Sequence, residues 1–474
     1  MKRVFSALLA ALCLAAAATT AHAAPLQAVN PQWSEEKQQV KAPAWNMTAE
    51  AIAAAYGEKD PALAGYDYLY VGHGEDSLYG ADWNLSEQVG AWRYGTGTAQ
   101  FQLTDPSKAG SVYTAYCADI DTTSKTGWWY KVENLEDAAY YARGDAADHI
   151  RAIALTGYWG TEAGTGSLGA VKDALSAAID GGTLTTMTKE DVAALTEGEA
   201  LTATQMAIWK YGNPYEVITL GANTLDRGSP YWDYCDEVLR EQYGMDDAAI
   251  DDALARIEAV AAYLMGLTMT AAEAGETTIL RDGELVKEVS LRVGQKVGEG
   301  LYRTDLCFTL QTAPQQGDDL TVQLLGADGE VLGEGRIAPA EGEGVLLPDS
   351  AGRYTLGGLT LKAGEEMACR FALTGVQQLR RGVYVYTSEV RDGVTSQTFV
   401  GLAEGETQVK GQQELTLSFT PPADPVPTVP PAPSVPTVTV ESPQTGDGVM
   451  LWTALSVLSG SGVLAWGFRR RKQP

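Results

Sequence analysis

A chain of 474 residues with 34 Lys and Arg against 61 Asp and Glu carries a formal charge of −27. That balance excludes a nucleic-acid partner and docking on anionic membranes, which present negative charge of their own. Five cysteines without any CxxC spacing leave no zinc or thioredoxin-type site, and nothing in the pattern calls for a metal or a cofactor.

Residues 1–23 open on Lys2 and Arg3, continue through the apolar run FSALLAALCLAAAA and close on Ala21-His22-Ala23. A basic start, a short apolar run and a small-x-small end form a signal peptide, so the chain is expected to be secreted and to begin near Ala24. Cys13 leaves with the leader, and Cys117, Cys235, Cys307 and Cys369 remain.

The stretch between leader and C-terminal tail is too long for one hydrophobic core, so more than one domain is expected. Residues 45–266 hold most of the tryptophan and tyrosine. They mix helical patterns (AADHIRAIAL, EDVAALTEGEALTATQMAIWKYG, DDAAIDDALARIEAVAAYLMG) with strand-like pieces (AWRYGTGTAQFQL, SVYTAYCADI), which predicts a mixed α+β domain of sheet or barrel plus helices. In SVYTAYCADI, strand alternation puts Tyr116 on one face and Cys117 on the other. In LTATQMAIWKYG, Thr202 or Thr204 reads as an N-cap, which would place Gln205 in a first helical turn.

Residues 268–420 alternate short apolar runs with glycine and acidic turns, as in DLTVQLLGADGEVLGEGRI and GRYTLGGLTLKAGEEMACRFALTG. This pattern predicts an all-β antiparallel sandwich acting as a stalk. Cys307 and Cys369 lie on strand-like runs there and could form a disulfide, which export permits, or remain two buried thiols. The region contains no asparagine, which excludes an internal Lys-Asn crosslink there and leaves only a Lys-Asp version open.

Residues 421–441, PPADPVPTVPPAPSVPTVTVE, favour extended polyproline II and read as a wall-spanning linker. Residues 449–468, VMLWTALSVLSGSGVLAWGF, are long and apolar enough for a transmembrane helix, and RRRK follows as a positive-inside stop. Immediately before this span stands Ser442-Pro443-Gln444-Thr445-Gly446. Pentapeptide, apolar span and basic tail in that order (residues 442–474) resemble the sorting signal of Gram-positive surface proteins, in a variant of LPxTG with serine in the leucine position. The resemblance implies transient membrane insertion, cleavage by a sortase between Thr445 and Gly446, and transfer of Thr445 to peptidoglycan, which would make the protein cell-wall-anchored.

A second resemblance lies in the first domain. Tyr116-Cys117 in YCADIDT, followed by the TQxA tetrad Thr204-Gln205-Met206-Ala207, is similar to the thioester domain of Gram-positive surface adhesins. In that family the cysteine sulfur and the glutamine carbonyl form an internal thioester with loss of ammonia, which here implies a Cys117–Gln205 bond.

The residue types suit that chemistry. A thiolate is both nucleophile and leaving group, and a fixed strand and helix supply the proximity that an inert amide needs. First-turn N–H groups beside Gln205 are expected to hold the developing oxyanion, and Trp128, Trp129, Tyr130 and Trp209 are candidates to exclude water. The resemblance implies a cell-adhesion protein that attaches covalently to a lysine of a host surface or matrix protein. The bond is consumed in the act, so the chain would be no turnover enzyme.

Two rival readings use the same residues. In one, Cys117 and His149 form the dyad of a cysteine amidase or peptidase acting on peptidoglycan. In the other, the aromatic residues bind glycans noncovalently. Glu199 and Asp119, which flank the two motifs, read as solvated acids.

Overall fold

A computed structural model describes residues 53–54, 57–63, 65–84, 93–108, 112–119, 122–138, 144–161, 164–213, 239–241, 243–338 and 342–420. The signal peptide, Cys235, the proline-rich linker, the sorting motif with Thr445 and Gly446, and the apolar span 449–468 lie outside them. No helix among the described residues is long and apolar enough to cross a membrane. The chain divides into two compact units, one comprising the residues up to Thr278 together with Leu379–Gly405, the other Ile279–Gln378 and the residues from Glu406 onward.

The first unit carries strands β1 (Tyr68–Asn84), β2 (Arg93–Thr104), β3 (Tyr113–Cys117) and β4 (Trp129–Asn134). Its helices are α1 (Ala146–Thr156), α2 (Leu168–Asp180), α3 (Lys189–Ala194), α4 (Glu197–Gly212), α5 (Asp247–Met265) and α6 (Ala271–Ala274). Two long strands, β10 (Met367–Ser388) and β11 (Phe399–Leu417), each contribute one half to it. The order β11-β3-β2-β1-β4-β10, with β10 also paired to β11, makes a six-stranded, barrel-like antiparallel sheet. The mixed α+β expectation therefore holds for this unit.

Capping chemistry decides where the helices start. The single helical run read over EDVAALTEGEALTATQMAIWKYG is cut in two at Thr196. The Thr196 hydroxyl accepts from Glu199 N at 3.3 Å, and Glu199 Oε2 accepts from Thr196 N at 3.1 Å. This reciprocal capping box satisfies two N–H groups that the helix itself leaves unpaired, and such a cap is worth about 1 kcal/mol. Thr202 and Thr204 are therefore interior helical residues rather than N-caps. Their hydroxyls turn back to the Gly198 and Ala200 carbonyls at 3.0 and 2.8 Å. Helix α4 is buried on every side from Glu199 to Trp209, which identifies it as the central helix of the unit.

The interior of the sheet is aromatic. Phe399 of β11 sits 5.2 Å from Tyr70, 4.8 Å from Phe101 and 5.2 Å from Tyr130, measured between ring centroids. Tyr386 of β10 meets Tyr68 edge-on at 5.1 Å. Leu379–Gly405 thus supplies core side chains and strand pairings to the first unit, whereas the sequence pattern groups it with the second domain. A charged cluster fastens the same segment. Arg151 of α1, 1% exposed, pairs with Glu276 at 2.7 Å, and Glu276 accepts from Val383 N at 2.7 Å.

The second unit holds β5 (Val286–Gly298), β6 (Leu301–Leu310) and β9 (Tyr354–Lys362) in one antiparallel sheet. Strands β7 (Asp319–Gly326) and β8 (Val331–Ile337) continue from the first half of β10. Leu306 and Phe308 from one set and Val322, Leu324 and Phe371 from the other share a single hydrophobic core. Alternation is clean in β6, where Tyr302, Thr304, Leu306, Phe308 and Leu310 point inward. Cys307 falls on the opposite face beside Thr355, while Cys369 is buried in the core. The two thiols face different sides of their sheets, both are free, and the disulfide does not form.

Candidate functional site

Strand β3 ends at Cys117 and is clamped on both edges, with Gln100 of β2 opposite Tyr116 and Phe399 of β11 opposite Cys117. Helix α4 is pressed against the end of this strand. A Cβ on Gly212 would stand 2.4 Å from the Ala118 carbonyl oxygen, so only glycine permits that approach. The Thr204 hydroxyl accepts from Tyr158 N at 3.1 Å, and Gly157 leaves room for it: a Cβ there would lie 2.6 Å from Thr204 Cγ2. Tyr116 completes the clamp, its hydroxyl donating to the Tyr158 carbonyl at 2.5 Å and its ring meeting Trp159 edge-on.

Within this frame Cys117 and Gln205, 88 positions apart, are direct partners. Cys117 N donates to Gln205 Oε1 at 3.0 Å, and Gln205 Nε2 donates to the Cys117 carbonyl at 2.7 Å. The carboxamide is held at both ends, in a place where Cys117 is 3% and Gln205 0% exposed. Met206 and Ala207, the remaining members of the tetrad, are fully buried beside it. Gln205 stands in the third turn of α4, so its neighbouring amides are spent on helical hydrogen bonds. The donor to the carbonyl oxygen is the amide of Cys117 itself rather than the first-turn N–H groups expected from sequence.

The sulfur has its own set of partners. Trp209, one turn beyond Gln205 on the same helix face, donates its indole N–H to Cys117 Sγ at 3.1 Å. Gln397, 280 positions away in the segment before β11, donates Nε2–H to the same sulfur at 2.8 Å, and the thiol itself lies 3.3 Å from the Asp119 carbonyl. Burial pushes the Cys117 thiol up to about 12, against a smaller opposing effect of the Trp209 N–H. At neutral pH an unbonded Cys117 is therefore a protonated, sequestered thiol, unlike the exposed low-pKa cysteines that serve as turnover nucleophiles.

Residues 114–266 match the family model of the thioester domain. The matched span contains Cys117 and Gln205 and stops short of Gln397. No curated protein and no solved structure gives a significant match. This part of the chain is thus similar to a thioester adhesin domain, and the motif residues of the thioester-domain resemblance, Tyr116, Cys117 and Thr204 to Ala207, are the ones that the fold gathers at one buried point.

Of the expected water-excluding residues, Trp209 touches the sulfur of the thioester-domain site, and Tyr130 donates to the Gln397 carbonyl at 2.9 Å, with Ser396 Oγ bonded to the same hydroxyl at 2.7 Å. Trp129 instead packs with Leu69, and Trp128 lies half-buried beneath Lys125 and Arg391. His149 belongs to another environment. It stacks on Tyr211 at 4.0 Å, and its Nδ1 is 2.7 Å from the Leu267 carbonyl, so the Cys117–His149 dyad does not assemble.

Glu199 and Asp119 are buried at 1% and 3% rather than solvated. Glu199 receives Arg256 through two bonds of 3.0 and 2.7 Å, and the Asp119 carbonyl accepts Gln397 Nε2 at 2.9 Å. Gln397 is the site residue that sequence reasoning does not find. The signal available for its segment is the aromatic run Val383-Tyr384-Val385-Tyr386 in a half of the chain otherwise poor in tyrosine.

Proposed function

We propose that the protein is a secreted, cell-wall-anchored adhesin that bonds covalently to a host protein through a Cys117–Gln205 thioester. The observation that carries the reading is the reciprocal, water-excluded pairing of Gln205 with Cys117 within the span that matches the thioester-domain family. In the closing step Cys117 Sγ attacks the Gln205 carbonyl carbon, the C–N bond breaks, and the thiol proton leaves with the amide as ammonia. In the attachment step a lysine amine adds to the same carbon, the C–S bond breaks, and the amine proton passes to sulfur. An isopeptide link to Gln205 and a free Cys117 thiol result. Each molecule reacts once and is not regenerated.

The Cys117 N–H, 3.0 Å from Gln205 Oε1, is in position to hold the oxyanion of both steps. Burial protects the acyl group from water until a binding event admits an amine, and a lysine, whose usual pKa is about 10.4, must arrive as its free base. The acidic charge, the leader, the proline-rich linker and the Ser442–Gly446 signal support display on a Gram-positive wall, with a sortase joining Thr445 to peptidoglycan.

Incubation of the purified chain with extracellular-matrix or host-surface proteins tests the reading. It predicts an adduct that survives boiling in detergent, maps to Gln205 and is lost in Cys117→Ala. Catalytic turnover of peptidoglycan fragments, with no adduct, would contradict the reading.

A further inference from the structure

Gln397 makes a costly use of a buried carboxamide. It is 8% exposed, and its Nε2 is committed to two acceptors, the Asp119 carbonyl at 2.9 Å and Cys117 Sγ at 2.8 Å. A neutral sulfur is a weak acceptor, so a donor withdrawn from water gains little from it unless charge develops there. The Asp119 carbonyl also fixes the orientation, because turning the amide would point an oxygen at that oxygen.

The backbone around Gln397 is held just as firmly. Its carbonyl accepts from Tyr130, the Thr398 carbonyl accepts from Ala118 N at 3.0 Å, and Phe399 pairs with Cys117 in the sheet. Ser396 is bonded to Ser388 Oγ through its N–H at 2.8 Å and receives Lys125 N on its hydroxyl at 2.8 Å. The donor at sulfur is thus preorganised by a segment that lies outside the matched span.

Resting on the thioester reading above, we infer that Gln397 is a catalytic residue of that reaction: with the Trp209 indole it forms a two-donor cradle that stabilises the negative charge on Cys117 Sγ as the carbon–sulfur bond breaks. The amine's electron pair enters at the Gln205 carbonyl carbon, the bonding pair leaves on sulfur, and the sulfur then takes the proton released by the amine. Burial opposes charge on this sulfur, as the raised thiol pKa records. The two N–H groups offset that penalty when negative charge develops on the sulfur, as it does while the bond is being broken. By the same chemistry they assist Cys117 when it attacks Gln205 during closure.

The test uses the full chain and Gln397→Met, which keeps the side-chain length and removes the donor. Second-order rate constants are measured by mass spectrometry for methylamine and for progressively less basic primary amines. The inference predicts a loss of roughly tenfold with methylamine, less than the roughly hundredfold or more that one oxyanion-hole donor is worth, because sulfur is the weaker acceptor. A larger loss is predicted with weaker amines, since a less basic amine is expelled from the tetrahedral adduct more readily than the thiolate and so makes carbon–sulfur cleavage limiting.

Gln397→Asn, which retracts the donor by one methylene, is expected to follow the same order, and melting temperatures monitor folding of both variants. A uniform slowing across all amines, or rates equal to wild type, would overturn the inference while leaving the thioester in place. Methylamine found on Gln397 rather than Gln205 would also overturn it. A wild-type chain that shows no ammonia loss removes the underlying reading and this inference with it.

Discussion

Replacing Gly212 by alanine separates local helix preference from the geometry of the site. On propensity alone the change stabilises a helix by about 1 kcal/mol. Here the added Cβ would sit 2.4 Å from the Ala118 carbonyl oxygen, one residue beyond Cys117. Since Cβ contacts below 3.0 Å essentially do not occur, helix and strand must separate by at least about 0.6 Å, an overpacking that costs roughly 1–3 kcal/mol.

The displacement acts where Gln205 Nε2 meets the Cys117 carbonyl at 2.7 Å and Cys117 N meets Gln205 Oε1 at 3.0 Å. Misplacement of reacting groups by about 1 Å is worth about a hundredfold in rate, so closure should slow by about tenfold to a hundredfold. The assay is the fraction of freshly purified chain with the ammonia-loss mass, followed over time, beside the melting temperature. A variant that closes as fast as wild type and melts higher would refute the claim that this contact sets the strand–helix distance.

Other consequences are as direct. Phe399→Ala empties the ring cluster of Tyr70, Phe101 and Tyr130 and should cost the first unit about 3–5 kcal/mol in denaturant unfolding; a loss confined to the second unit would contradict the assignment of residues 379–405. A fragment ending at Thr278 contains the whole matched span yet lacks Gln397, Phe399 and the β10 and β11 pairings. It should fail to show cooperative unfolding or ammonia loss, and co-expression of residues 379–405 should restore part of both.

Alkaline stability offers a further check. In the amine-opened chain the Cys117 thiol goes from an ordinary value of 9.0 to about 12 in the folded state because of burial. The buried, protonated thiol is compatible with folding below pH 9, and stability falls as pH rises from 9 towards 12, by about 1.4 kcal/mol per unit for this one group. Fluorescence-monitored unfolding should show that decline as an excess over Cys117→Ala; equal slopes would contradict it.

Much of the site was legible because the thioester reaction constrains residue types. Cys117 after an aromatic residue on a strand, and Gln205 in TQxA on a helix, are a nucleophile and an acyl donor that have little reason to recur together. The helix itself was less legible. Thr202 and Thr204 have the chemistry of N-caps, but Thr196 with Glu199 makes the reciprocal pair, and a helix buried all round lacks the one-sided pattern that marks a boundary.

The fold of residues 268–420 reads correctly as antiparallel strands because one face of each is wet, as β6 shows. What strand alternation does not carry is which unit a strand joins. Gly382 to Tyr386 are buried on both faces, and the partners that bury them, such as Glu133 and Val132 on β4, lie some 250 positions earlier. Gln397 is invisible for the same reason, since its role arises only when β11 pairs with β3. Of the two outcomes open to Cys307 and Cys369, a bond or two thiols, the structure shows two free thiols, because strand alternation turns Cys307 to the outer face.

The most direct test of the central claim is the intact mass of the freshly purified wild-type chain, with peptide mapping after methylamine. The account predicts a deficit of about 17 Da against the sequence, one ammonia lost, absent in Cys117→Ala. Methylamine is then expected on Gln205, with one newly reactive thiol at Cys117. A chain at its full sequence mass, with Gln205 unlabelled and Cys117 free from the outset, would contradict it.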